Sequence, residues 1–333
     1  LHTAKNPHSS SPATFYIKPA HKQQLKSILT SNFTLMLNNV LTLTNLTKYY
    51  GKILALNNVS FSVPEGSVFG ILGPNGSGKT TMLGIVMDIL KPTSGSFTFY
   101  GQPGNANMRK QIGTLLETPN FYHYLSGERN LQIAAEIKGK GHDQVDEVLK
   151  KVDLLERKTS KFSTYSLGMK QRLAIASALL GGPKVLVFDE PTNGLDPVGI
   201  SEIRTLIQRL ALEGKTIIMA SHMLDEVEKV CTHVAILKRG NLLTAGDVDE
   251  ILVNDEIVEV SAANSLLLAT VLKEMSGYDN IKQVDNDFHL LYPPAKADLE
   301  AINRYCFKKG VVLTYLRLKK KSLETKFLEL TNQ

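Results

Sequence analysis

The eight residues Gly73-Pro74-Asn75-Gly76-Ser77-Gly78-Lys79-Thr80 constrain this chain more than any other feature. They follow an apolar run, Ser67 to Leu72, and open a helix-like segment beginning Thr81-Met82-Leu83. Strand, glycine-rich turn and helix in that order let backbone N–H groups curl around phosphate oxygens, with the positive end of the helix behind them. In such a loop Lys79 reaches the β- and γ-phosphates of a nucleotide and Thr80 offers its hydroxyl to Mg²⁺. Gly73, Pro74, Asn75, Gly76, Ser77, Gly78 and Thr81 complete the cradle. A plain glycine-rich turn is the alternative, and the flanking strand and helix patterns argue against it.

A second segment completes the chemistry. Val185-Leu186-Val187-Phe188 reads as a buried strand ending in Asp189-Glu190. Acids at the carboxyl end of such a strand lie on the sheet edge where α/β proteins bind ligands. Asp189 is placed to hold Mg²⁺ through its water shell, and Glu190 to orient and polarise an attacking water. Taken alone, the pair could equally cap the next helix. Ile217-Ile218-Met219-Ala220 is a third apolar run, and Ser201 to Leu212 has helical spacing. From Leu41 to about Gly246 the alternation predicts an α/β domain with a mostly parallel sheet covered by helices. Within it, residues from about 128 to 180 carry helical spacing and few strand signals, and read as an inserted helical subdomain.

The charge of the chain points less toward nucleic acid than its total implies. Lys and Arg number 38 against 32 Asp and Glu, a net +6. Residues 1 to 64 hold six lysines and no acid, so the remainder is balanced. Residues 1–35 are rich in Ser, Thr, Pro, His and Asn and read as a disordered leader, or an extension upstream of Met36. A transit peptide fits their lack of acid but not their lack of arginine. Two cysteines give no disulfide framework, which favours a reducing compartment. Residues 247–333 change texture. Strands at Ile257–Ser261, Phe288–Tyr292 and Val311–Leu318 alternate with helices at Ser265–Met275 and Ala297–Phe307, a small α+β appendage. A closing helix, Ser322 to Leu330, places Leu323, Phe327 and Leu330 on one face. The runs Lys308-Lys309 and Lys319-Lys320-Lys321 read as solvated surface, with anionic lipid headgroups or a partner loop as the alternatives.

Between the two phosphate-site motifs stands Tyr165-Ser166-Leu167-Gly168-Met169-Lys170-Gln171-Arg172, which resembles the signature of ABC transporter ATPases. Pro191, the loop Gly194-Leu195-Asp196-Pro197 and His222, 32 positions after Glu190, follow in the order of that family. Upstream, Lys48-Tyr49-Tyr50-Gly51 is similar to the stretch that stacks on adenine, with Tyr50 the ring. The resemblance spans residues 41 to 246. It implies an ATP hydrolase that works as a dimer, homomeric or heteromeric, with Ser166 and Gly168 of one subunit reaching the γ-phosphate held by the other. Ser166 also suits the N-cap of a helix from Gly168 to Leu180. The resemblance makes His222 the residue that holds the γ-phosphate and the water in register.

Two positions depart from the family pattern. Where its signature reads Leu-Ser-Gly-Gly-Gln, this chain has Tyr165, Leu167 and Met169 around Ser166 and Gly168. Where a glutamine that faces Mg²⁺ and the membrane subunit is usual, Glu117 stands in Ile112-Gly113-Thr114-Leu115-Leu116-Glu117-Thr118-Pro119. A carboxylate still suits Mg²⁺ but donates no amide hydrogen bond. Both departures, and the ending Ser322 to Thr331, resemble exporters of bacitracin- and lantibiotic-type peptides. The expectation is therefore a cytoplasmic ATPase, peripheral on the inner face of the membrane, binding ATP and Mg²⁺ and driving export through a separate polytopic permease. Tyr122, His123 and Tyr124 either face that permease or pack within the chain. No nucleic acid partner is expected. Soluble ABC ATPases that act on DNA or ribosomes are the rival. They split the motifs around a coiled coil or carry two phosphate loops; here there is one, 87 residues before Ser166, and no sustained heptads. A GTPase or small-molecule kinase would leave the signature and His222 unexplained.

Overall fold

The computed structural model describes residues 39–116, 120–252, 256–285, 287–293, 296–319 and 322–331. The expected leader, 1–35, and Glu117 lie outside the described residues.

The described chain opens on two long strands, β1 (Asn39–Tyr50) and β2 (Ile53–Pro64), joined at Gly51-Lys52 and paired antiparallel. β3 (Val68–Leu72) runs into the glycine loop, and α1 (Lys79–Val86) leaves it. β4 (Ser94–Phe99), β5 (Gln102–Pro103), α2 (Ala106–Arg109) and β6 (Ile112–Leu115) follow. The middle of the chain is helical: α3 (Gly127–Lys138), α4 (Val145–Lys151) and α5 (Leu167–Leu179). β7 (Val185–Asp189), α6 (Pro197–Leu212), β8 (Thr216–Ser221), α7 (Leu224–Glu228), β9 (His233–Lys238) and β10 (Asn241–Asp247) complete the α/β region. Beyond α8 (Val248–Leu252) come β11 (Glu256–Ala262), α9 (Ser265–Glu274), β12 (Asn280–Val284), β13 (Asp287–Tyr292), α10 (Leu299–Lys308), β14 (Leu313–Lys319) and α11 (Leu323–Thr331).

These strands form three sheets, ordered β2-β1-β4-β5, β10-β9-β3-β8-β7-β6 and β12-β13-β11-β14. In the central sheet β9, β3, β8, β7 and β6 are parallel, and only β10 runs antiparallel to its neighbour. Every residue of β3, β7 and β8 is buried, as strands covered on both faces require. One face packs on α1 and the antiparallel sheet, through Leu43, Leu56, Phe61, Ile85 and Phe99. The other packs on the helical region and α6, through Leu131, Phe162, Leu173, Ile203 and Leu210.

The sequence pattern from Leu41 onward is that of one mostly parallel sheet; the structure instead separates β1, β2, β4 and β5 as a second, antiparallel sheet. The hairpin turn at Gly51 (φ +58°) sets that pairing. The third sheet carries α9 and α10 through Leu268, Leu272, Ile302 and Cys306. Its order is that of a split β-α-β fold of ferredoxin type, with a core of its own.

Candidate active site

β3, β7 and β8 are parallel neighbours, so their carboxyl ends deliver the glycine loop, Asp189-Glu190 and Ser221-His222 to one edge. At Gly78, the N-cap of α1, the backbone is left-handed (φ +104°) and turns the chain into the helix. Helix α1 begins at Lys79, two positions before the sequence pattern places it. Ser77 Oγ is buried and finds no hydrogen-bond partner within the protein, an orphan acceptor and donor facing a loop built for phosphate. Lys79 is buried, and its Nζ donates to the carbonyls of Gly73 at 2.8 Å and Pro74 at 3.4 Å. Pro74, Asn75, Gly76 and Thr80 stand exposed along the rim, and Thr81 is half-buried.

Glu190 is the hub. Its backbone is left-handed (φ +50°), a conformation held by its N–H donating to Ala220 O at 3.0 Å. One carboxylate oxygen lies 3.4 Å from Lys79 Nζ. The other accepts from His222 Nδ1–H at 2.9 Å and from the His222 backbone N–H at 3.4 Å. Three residues far apart in sequence thus form one chain of contacts, Lys79–Glu190–His222. Asp189 is buried at the end of β7, and with Thr80 it lines a cavity of about 440 Å³. A hydroxyl and a carboxylate are hard oxygen donors of the kind Mg²⁺ takes alongside its waters, so these residues fit that ion.

The signature residues lie elsewhere on the surface. Ser166 is the N-cap of α5, its Oγ accepting from Met169 N–H at 3.3 Å. Ser166 and Leu167 are exposed, and a Cβ on Gly168 would meet open space. That helix begins at Leu167, one residue earlier than the pattern places it. Tyr165 points the other way, buried against Phe162, its hydroxyl donating to Arg157 O at 2.8 Å. Tyr50 ends β1, 44% exposed as a residue, with Lys48 Nζ 5.1 Å from its ring centroid. Tyr122, His123 and Tyr124 are all exposed; the two tyrosine rings are edge-on to each other, and the His123 ring also touches Phe162. Packing within the chain is thus seen at His123. Direct contact of Lys79 with Glu190 is invisible in the sequence, since their separation carries no local signal.

A parallel sheet delivering a phosphate loop, a strand-end acid pair and a histidine to one edge defines a nucleotide hydrolase, with the serine-capped helix as its second surface. Residues 56–193 match the family described as ABC transporter. The chain is 38% identical over 303 residues to the uncharacterized ABC transporter ATP-binding protein YhcH of Bacillus subtilis (strain 168), covering 89% of this chain and 97% of that one. It is 34% identical over 302 residues to the bacitracin transport ATP-binding protein BcrA of Enterococcus faecalis, with the same two coverages, 89% and 97%. Among solved structures, cbiO1 of Clostridium perfringens, part of the ABC transporter complex cbiONQ, superposes with a TM-score of 0.60 at 32% identity. That match covers 64% of this chain and 90% of that one. The chain belongs to the ATP-binding proteins of ABC transporters, and it is an ATP-hydrolysing transport subunit. Subunits of this family bind adenine nucleotide, dimerise and work with transmembrane components. Among the described residues no helix is long and apolar enough to cross a membrane.

Proposed function

We propose that the chain powers export of a peptide antibiotic of the bacitracin kind, from the cytoplasmic face of a membrane, through a separate permease. The observation that carries the ATPase chemistry is the convergence of Lys79, Glu190 and His222 at the carboxyl edge of the sheet. The likeness to BcrA supports the cargo class. In this reading Tyr50 stacks on adenine, and the loop from Gly73 to Thr81 holds the phosphates. Thr80 and Asp189 would hold Mg²⁺, and Glu117 is a further candidate ligand. Mg²⁺, when bound, offsets charge on the β- and γ-phosphate oxygens.

ATP binding exchanges partners at Lys79: the ammonium leaves the Glu190 carboxylate for phosphate, and the carboxylate is freed to accept a proton from water. His222 keeps hold of the other carboxylate oxygen and so orients the base while facing the γ-phosphate. A second subunit supplies Ser166, the Gly168 N–H and the positive end of α5 to the same phosphate, so bound ATP joins the two. The permease sits at a groove of about 380 Å³ lined by Phe121, Tyr122, Asn130, Ile133 and Ile137, with Tyr124 exposed nearby. Residues 41–246 form the ATPase domain with its helical subdomain, and 247–333 an accessory segment whose last helix returns to the ATPase body.

Glu190→Gln tests the reading. It keeps the shape and removes the base, and should lower kcat at least about a hundredfold. The same variant should remain dimeric on gel filtration with MgATP, while the unaltered chain returns to monomer as ATP is consumed. Near-normal hydrolysis by Glu190→Gln would refute the assignment.

A further inference from the structure

The last helix comes back to the ATPase body at the place where His222 leaves its strand. Leu323 of α11 is fully buried in the core on the helical side of the central sheet, and Phe327 and Leu330 pack on the same core. Its neighbour is α7, five residues long, which starts two positions after His222. Glu228, the last residue of α7, accepts the first-turn N–H of Leu323 at 2.8 Å. Ser322 Oγ accepts that of Thr325 at 3.2 Å. The amino end of α11 is therefore capped jointly by its own serine and by α7. A carboxylate is well matched to that end of a helix dipole.

A helix of five residues has no cooperative stability of its own, so what packs on α7 decides where it lies. From the body, Val227 is fully buried and Glu226 pairs with Arg204 at 2.9 Å. From the other side comes α11.

We propose that Glu228 is a positioning residue for hydrolysis: through Leu323 it fastens α11 to α7, and so fixes where His222 stands against Glu190. The proposal rests on His222 acting at the reaction centre, as read above. The 2.9 Å contact between His222 and Glu190 leaves little tolerance, and misplacing a catalytic group by about 1 Å can cost on the order of a hundredfold in rate. α11 touches this machinery from outside the nucleotide site, so loosening it should affect turnover and not binding.

The test is steady-state ATP hydrolysis by the full chain with Mg²⁺, alongside nucleotide affinity measured directly. Glu228→Ala should lower kcat by about five- to tenfold, leaving KM and nucleotide affinity within about twofold, the split that marks an effect confined to the transition state. Glu228→Gln, whose amide oxygen still accepts from Leu323 N–H, should recover most of the rate. Leu323→Ala, which loosens α11 without altering α7, should give the same split if Glu228→Ala fails to fold. In a His222→Ala background, Glu228→Ala should add no further loss, because both act through one group. An unchanged kcat for Glu228→Ala, an equal loss in affinity, or a full additional loss in the His222→Ala background would each overturn the proposal. Undiminished kcat for His222→Ala itself would instead remove the role of His222, and this inference with it.

Discussion

A Cβ placed on Gly127 would run into the hydroxyl of Tyr165, so the glycine leaves room for the tyrosine that departs from the family signature. The tyrosine fills the core of the helical region with its ring against Phe162, and it bonds Arg157 O while Ser166 stays exposed and Gly168 half-buried. A bulky residue in the signature is accommodated by a missing one at the start of α3. At the phosphate loop the constraint is tighter. Gly78 sits at φ +104°, and a Cβ there would lie 2.6 Å from Ala55 O and 2.7 Å from Leu56 Cδ2. Gly78→Ala should therefore weaken ATP binding at least about tenfold, as expected where backbone strain and a buried clash coincide. Fluorescent-nucleotide titration checks this, and unchanged affinity would show that the loop tolerates a side chain. At this scale the candidate site was largely legible: the glycine-rich loop nominated Lys79, the acidic end of an apolar run nominated Glu190, and the resemblance to ABC transporter ATPases nominated His222. What spacing does not contain is the left-handed backbone at Glu190 and the ion pair it makes, which depend on β8 lying beside β7.

Among the elements, helices were easier to place than their ends. The helix seen from Ser201 begins at Pro197, because Asp196 accepts from Gly199 N–H at 2.8 Å and proline needs no donor in the first turn. β12 escaped notice: Asn280 to Val284 has no alternating apolar face, and only Ile281 along it is half-buried. α3 and α5 are joined by a polar contact that hydrophobic periodicity cannot show. Lys138 of α3 donates to Ser177 O at 2.5 Å and Ala178 O at 3.4 Å, at the end of α5. The cation suits the negative end of that helix, but burial, with Lys140 nearby, lowers its pKa from 10.5 to about 8. Between those values the unfolded chain binds a proton that the folded chain has released, so this residue's contribution to stability rises with pH. Urea midpoints of the unaltered chain and of Lys138→Met, compared at pH 8 and pH 10, should show the unaltered chain gaining on the variant. A constant difference would mean the lysine keeps its ordinary affinity for protons.

At the scale of the whole molecule, three cores meet different fates. The two that sandwich the central sheet share its strands and position the site. The third, around Leu290, Val258 and Leu272, shares none of them. Leu290→Ala should lose about 2–5 kcal/mol of stability, as buried leucines do, yet leave nucleotide affinity within about twofold. Calorimetry with a parallel nucleotide titration checks both halves, and a matching fall in affinity would show the cores to be coupled. The apolar face of the closing helix was plain from its spacing, but spacing says that a face is buried and not against what. Its docking on α7 joins residues that the ribosome makes far apart in time. The third sheet is synthesised after the nucleotide site and before α11, so the site emerges with α7 not yet fastened to α11 and a hole where Leu323 belongs. During translation, then, the phosphate loop and its acids can be folded before Glu228 and Leu323 meet. On the role proposed for Glu228, full hydrolytic competence would wait until the appended sheet has been made, which would order assembly ahead of fuel consumption.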